Sequence, residues 1–287
     1  MVFQDKEHSQ TINELFVSVK IVKGQGEYQQ HRETFNMRGF PTVIVLAPDG
    51  TERDRIVGFS NDAETFMQKL VDYAHNRNTL SKLLQIYKQD SMSIENTYNL
   101  AEKYMNRFEA AKAQPYFESV LRLTQAGDHN RLAREARYNI ALYETQYERN
   151  YQPLLDLLPE LQSKDRKRDA YVALARAHNT QADTQKTFFY YEKALEELPD
   201  DTGLMNSFAW TVFEYKYRDK YEQAIRVAEQ AVDIDPDAAS IWDTLGWLYY
   251  ENGDTAKAVT AMQKALNIDP DSEYYRDNLA TFKGQIE

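Results

Sequence analysis

Cysteine is absent from all 287 residues of this chain. That excludes disulfides, thiolate metal sites and thiol nucleophiles, although cysteine-free chains serve in oxidising and reducing compartments alike. Long apolar runs are absent too, since none approaches the roughly 20 residues that span a bilayer. The opening MVFQDKEHSQ is charged and mixed, unlike a secretory signal. As written, the chain is expected to be cytoplasmic, and periplasmic or exported if a signal peptide precedes it. Basic residues are in deficit, with 34 Lys and Arg against 45 Asp and Glu for a formal net charge of −11. Nucleic acid, which needs a basic footprint, is therefore not an expected partner.

Familiar reactive patterns are also missing. His8, His31, His75, His129 and His178 show no metal-ligand spacing such as HExxH. Gly24-Gln25-Gly26 lacks the following Gly, Lys and Ser/Thr of a phosphate loop and suits a strand-to-helix turn. Glu196–Glu197 and Asp200–Asp201 fall at helix ends, and the basic run KDRKRD (164–169) is broken by acids. No catalytic residue, metal or cofactor is expected, and the chain as it stands is not read as an enzyme.

What is present changes character near residue 80. Before it, β-branched runs of strand length occur at LFVSVKIV (15–22) and PTVIVLA (41–47), with a shorter RIVGF (55–59). Pro48-Asp49-Gly50 supplies the turn chemistry of a hairpin. EYQQHRETFNM (27–37) suits a helix, and Asn61 or Asp62 suits a cap for AETFMQKLVDYAH, whose Phe66, Leu70, Val71 and Tyr73 fall at helical spacing. This order predicts a small α/β unit over residues 1–79.

Residues 1–78, through VFQDKEHSQTINELFVSVKI, the GFPT motif and VLAPDGTERDRIVGF, resemble the C-terminal two-thirds of a thioredoxin-like domain. The resemblance implies a cis peptide before Pro41 and a loop (Arg38, Gly39, Phe40, Pro41, Thr42) that grips extended peptide backbone. It also implies a first strand and a Cys-x-x-Cys that this sequence lacks. Two readings follow. Either the chain is an N-terminally shortened thiol–disulfide oxidoreductase, or it is a native redox-inactive remnant. The first is preferred, because loss of a central strand leaves its sheet neighbours unpaired.

From about residue 94 the pattern is helical and repeating. In WDTLGWLYYENGDTAKAVTAMQKALNIDPD (242–271), Trp242, Leu245 and Tyr249 share one helix face, while Gly246 and Ala258 are small where two helices cross. Gly253-Asp254 turns the chain and Pro270 stops the second helix. Pro236 lies 34 residues before Pro270 and closes a second copy with Phe208, Thr211, Tyr215, Ala224, Ala228 and Ala231. Further copies end at Pro199 and span Leu100 to Val120, and a degenerate one at 138–161 has Pro153 where a small alanine belongs. This arrangement resembles the tetratricopeptide repeat, W-x2-L-G-x2-Y…A-x3-F…P, with Met262 in place of Phe. The fold class expected is thus an incomplete α/β thioredoxin-like N-terminal domain followed by an all-α solenoid. Its parts are a connecting helix at 80–93, about five helix pairs over 94–271 and a capping helix at 272–287.

The resemblance implies a superhelix whose concave face, lined by each repeat's first helix, binds a protein or peptide. Residues expected there are Tyr98, Glu102 and Met105, then Val172, Arg176 and Asn179. Ala209, Phe213, Lys216 and Tyr217 follow, and the last copy adds Asp243, Trp247, Tyr250 and Glu251. Aromatics at such places suit apolar or extended segments. The competing reading is that Phe213 and Trp247 pack on an adjacent helix or the capping segment. With Asp243 and Ala209 where a lysine is expected, a carboxylate-terminal chaperone tail is a poor ligand. The function expected is protein binding, chaperone-like in character, with the oxidoreductase fragment and an architectural assembly subunit as alternatives.

Overall fold

A single antiparallel hairpin is the β-structure among the described residues, which in the computed structural model of the chain are 5–22, 24, 26–37, 39–58, 62–124 and 131–284. Two units divide the chain, residues 1–143 and 144–287.

In the first unit, Asp5 opens α1 (Lys6–Leu15) by accepting hydrogen bonds from the amides of Glu7 and His8, which satisfies donors that a helix start leaves free. After α2 (Tyr28–Thr34), β1 (Thr42–Leu46) pairs with β2 (Glu52–Val57), Thr42 opposite Val57. The turn between them works as its composition demands. Gly50 has φ +83°, its amide donates to Ala47 at 2.9 Å, and Asp49 accepts from the Thr51 amide and hydroxyl. Asp62 caps α3 (Ala63–Ala74). The amphipathic face of α3 buries Phe66, Met67, Leu70 and Tyr73 with Ile12 and Val45. Then come α4 (Leu80–Gln89), α5 (Ile94–Asn106), α6 (Ala110–Leu123) and α7 (Arg131–Tyr143). Leu100, Ala101, Ala113, Phe117, Val120 and Ala136 make their core.

Three expectations for this unit need correction. Residues 16–22 form no strand: Val17 is 95% and Val19 78% exposed. β-branched residues favour strands by packing against cross-strand neighbours, and this segment has none among the described residues. The strand foreseen at 55–59 instead starts at Glu52, and the helix foreseen at 27–37 is the shorter α2. The expected cis peptide is present at Phe40–Pro41. Gln25, Arg38, Phe59, Asn61 and His129 lie outside the described residues.

Charge ties the hairpin to the helices of its own unit. The fully buried Asp54 on β2 accepts from Lys103 Nζ (2.7 Å), Arg107 Nη1 (2.7 Å), the Leu80 amide (2.9 Å) and the Arg55 amide (2.8 Å). Arg107 also reaches Glu52 at 2.8 Å and Glu109 at 2.9 Å.

The second unit opens with a π-helical turn at Glu144–Glu148, followed by α8 (Gln152–Leu157). This helix has only six residues, with Pro153 in its first turn, where a missing amide is tolerated and φ is preset. There follow α9 (Lys164–Asn179), α10 (Thr184–Glu197), α11 (Thr202–Glu214), α12 (Tyr221–Ile234), α13 (Ala239–Glu251), α14 (Thr255–Ile268) and α15 (Glu273–Lys283). Side chains of Ser163, Asp183, Asp201, Asp254 and Ser272 cap five of these starts. Small residues let paired helices close. Ala224, Ala228, Ala258 and Ala265 are fully buried, and a Cβ on Gly246 would touch the Ala258 carbonyl at 3.5 Å. Larger rings fill between pairs: Phe208 sits edge-on to both Phe188 (5.9 Å) and Tyr191 (5.7 Å). Among the described residues no helix is long and apolar enough to cross a membrane.

Candidate functional site

The repeat spacing places Phe213 and Trp247 at equivalent points on α11 and α13, the first helices of successive pairs. Their rings stack at 5.4 Å and 30°. Trp247 then meets Phe282 of α15 edge-on at 4.9 Å, and Phe282 stacks on Tyr250 at 4.5 Å. The result is an aromatic row crossing three helices. Phe213, Trp247 and Tyr250 are half-buried, whereas Phe282 is fully buried. Trp247 therefore sits partly under α15, as the packing alternative expected of it, and Tyr250, which that reading did not include, does the same.

Polar groups flank the row. Tyr217 donates its hydroxyl to Asn179 Oδ1 of α9 at 2.5 Å, and its ring meets Phe188 edge-on at 5.2 Å. Lys216 and Arg218 each lie 3.6 Å from the Glu251 carboxylate. Arg176 is exposed on α9, Val172 is half-buried against the core, and Ala209 is fully buried. The structure thus brings Asn179 to Tyr217, Phe213 to Trp247, and Lys216 to Glu251.

Asp243 has a different setting. It is 7% exposed, and its Oδ2 faces the Tyr274 hydroxyl of α15 at 3.4 Å. Oδ1 of Asp243, Nε1 of Trp247 and Nδ2 of Asn278 are buried without a hydrogen-bond partner among the described residues. Burial pushes the Asp243 carboxyl up to about 7, because an ion loses its hydration there.

In the first unit, Tyr98 is buried edge-on to Phe117 at 5.9 Å, and Met105 is half-buried against the same core. Glu102 is exposed and lines a cavity of about 390 Å³ with Tyr73, Lys103 and Arg107. In the proline loop, Phe40 is 55% exposed and the Thr42 hydroxyl donates to the Gly39 carbonyl at 2.6 Å. A Cβ on Gly39 would fall 2.7 Å from Val57 Cγ1, so the loop is pressed onto β2. His178 is buried between Tyr151 and Tyr190, and that burial lowers its pKa. It serves packing.

Tyr274 and Asn278 were not named from the sequence, whereas Phe282 belongs to the segment 272–287 expected to cap the last repeat, and it does cover Trp247 and Tyr250.

Residues 218–280 match the family model of the tetratricopeptide repeat. Over 113 residues the chain is 28% identical to protein O-mannosyl-transferase TMTC1 of Mus musculus, covering 39% of this chain and 12% of that protein. Over 96 residues it is 30% identical to small glutamine-rich tetratricopeptide repeat-containing protein 2 of Mycosarcoma maydis, covering 33% of this chain and 26% of the other. The matched stretch is thus at most about a quarter of either relative's length. Among solved structures, a tetratricopeptide repeat protein from Parabacteroides merdae aligns with a TM-score of 0.51 at 18% identity, over 77% of this chain and 80% of that one. These matches place a tetratricopeptide repeat at residues 218–280 and support a mostly helical repeat fold for the chain.

Proposed function

We propose that this tetratricopeptide repeat chain is a protein-interaction module, and that the first helices α9, α11 and α13 hold a protein or peptide segment. The observation that carries the reading is the half-buried aromatic row flanked by paired polar groups. Rigid rings at Phe213, Trp247 and Tyr250 offer contact area at little entropic cost. Lys216 and Arg218, paired with Glu251 next to Tyr250, leave hydrogen-bonding capacity at the rim for a peptide backbone, and Arg176 is exposed on α9. On this reading residues 1–79 are a redox-inactive, thioredoxin-like accessory part, whose loop Gly39–Thr42 offers a second, chaperone-like contact to extended chain.

The test is a peptide selected by display against the whole chain and then titrated calorimetrically. Arg176→Ala and Tyr217→Ala should each weaken its binding by about 1–2 kcal/mol. Unchanged affinity in both folded variants would sink the reading.

One observation favours a second reading, the fragment of a thiol–disulfide oxidoreductase. Residues 17–22 are exposed and form neither helix nor strand, and β1 pairs on one side only among the described residues. A further strand would find unpaired backbone on both. Intact-mass measurement of the natural protein decides it. A longer chain carrying Cys-x-x-Cys ahead of Val2 supports the fragment, and a start at Met1 rejects it.

A further inference from the structure

Asp243 occupies the position that Ala209 holds one repeat earlier, 34 residues before. The small residue there is fully buried, and the acid that replaces it is 7% exposed. What faces the carboxyl is the Tyr274 hydroxyl of α15 at 3.4 Å, with Asn278 beside Tyr274, and the Trp247 indole of its own helix.

No cation among the described residues lies within ion-pair distance of it. On α14, Lys257 is engaged with Asp254 at 3.5 Å, and Lys264 is exposed. On α15, Arg276 donates to the Pro270 carbonyl, Tyr275 adds only a neutral phenol, and Glu273 and Asp277 are exposed acids. On α12, Glu229 accepts from Tyr249, and the one charged residue of α11 is the exposed Glu214 at its end.

A neutral carboxylic acid suits this place because burial strips an ion of its hydration, which outweighs the donors Tyr274 and Trp247. A carboxylate would be a buried, uncompensated ion. The helix that covers it is the last one described, anchored chiefly by Leu279 and Phe282.

We propose that Asp243 is a pH-sensitive latch on α15: the helix stays docked while the acid is neutral and loosens when the acid ionises. Because Phe282 caps Trp247 and Tyr250, loosening uncovers the end of the aromatic row. The latch regulates the surface assigned to partner binding above and rests on that reading for its purpose, although its operation needs no ligand.

The direction follows from linkage. The docked acid titrates near 7, above the ordinary carboxylate range. Docking is therefore at full strength below about pH 4 and is lost as the pH rises through about 7.

Hydrogen–deuterium exchange over residues 273–283 of the full chain tests it, with rates corrected for intrinsic chemistry and referenced to α12. Between pH 5 and pH 8 the opening of α15 should increase at least about tenfold, and Asp243→Asn should keep α15 equally protected at both. A flat wild-type profile, or the same loss in the Asn variant, overturns the latch. If circular dichroism shows that the Asn variant is unfolded, Tyr274→Phe decides. Removing a donor that favours the carboxylate should move the midpoint to higher pH, and an unmoved midpoint overturns the proposal. Either failure leaves peptide binding at α9, α11 and α13 standing, since the readout contains no peptide.

Discussion

Asp54 and Asp243 are both carboxyl groups taken out of water, and the two units treat them in opposite ways. Asp54 accepts four N–H donors, two of them from the charged side chains of Lys103 and Arg107. Asp243 has only neutral neighbours, the Tyr274 phenol at 3.4 Å and the Trp247 indole. Burial alone decides neither outcome; the partners do. A carboxylate saturated with cations is a fixed structural tie, because removing either partner strands the other. One with only neutral neighbours escapes its desolvation cost by taking up a proton. The first unit spends its buried charge on joining a hairpin to helices. In the second unit, alanine and aromatic packing does the joining, and the lone acid is left to titrate.

The hardest way to break this comparison is to empty the Asp54 site. Asp54→Ala leaves Lys103 and Arg107, each 8% exposed, without their carboxylate, and should cost about 3–5 kcal/mol in urea unfolding. A loss under about 1 kcal/mol would mean that the cluster is dispensable and the contrast with Asp243 empty. Lysine in that cluster already shows the strain of burial, which lowers its pKa despite the adjacent Asp54. At the other extreme stands Lys216, 62% exposed at 3.6 Å from Glu251, which keeps Arg218. Lys216→Ala should change stability by no more than about 0.5 kcal/mol in the same assay, and a larger loss would show that the rim of the aromatic row is structural.

Much of the repeat architecture is legible in the sequence. The 34-residue step between Pro236 and Pro270, the small Gly246 and Ala258, and the misplaced Pro153 are local signals with local causes, and helices of the expected kinds formed around them. The Pro48-Asp49-Gly50 turn was legible for the same reason. Other features depend on neighbours distant in sequence. Val17, Val19 and Ile21 have every propensity for a strand, yet a ladder needs a second chain segment. The start of β2 at Glu52-Arg53-Asp54-Arg55 looks like a charged loop, because only the fold reveals that Asp54 meets Lys103 and Arg107 some fifty residues later. Asp243 was placed among groove residues by its helical position, but nothing in that position tells that Tyr274 lies over it.

The claim that α9, α11 and α13 form the partner surface is tested most directly by cross-linking. The display-selected peptide, carrying a photoreactive group, would be cross-linked to the whole chain and the adducts located by mass spectrometry. The account predicts adducts within residues 172–179, 206–217 and 243–251. Adducts confined to residues 5–57 would contradict it.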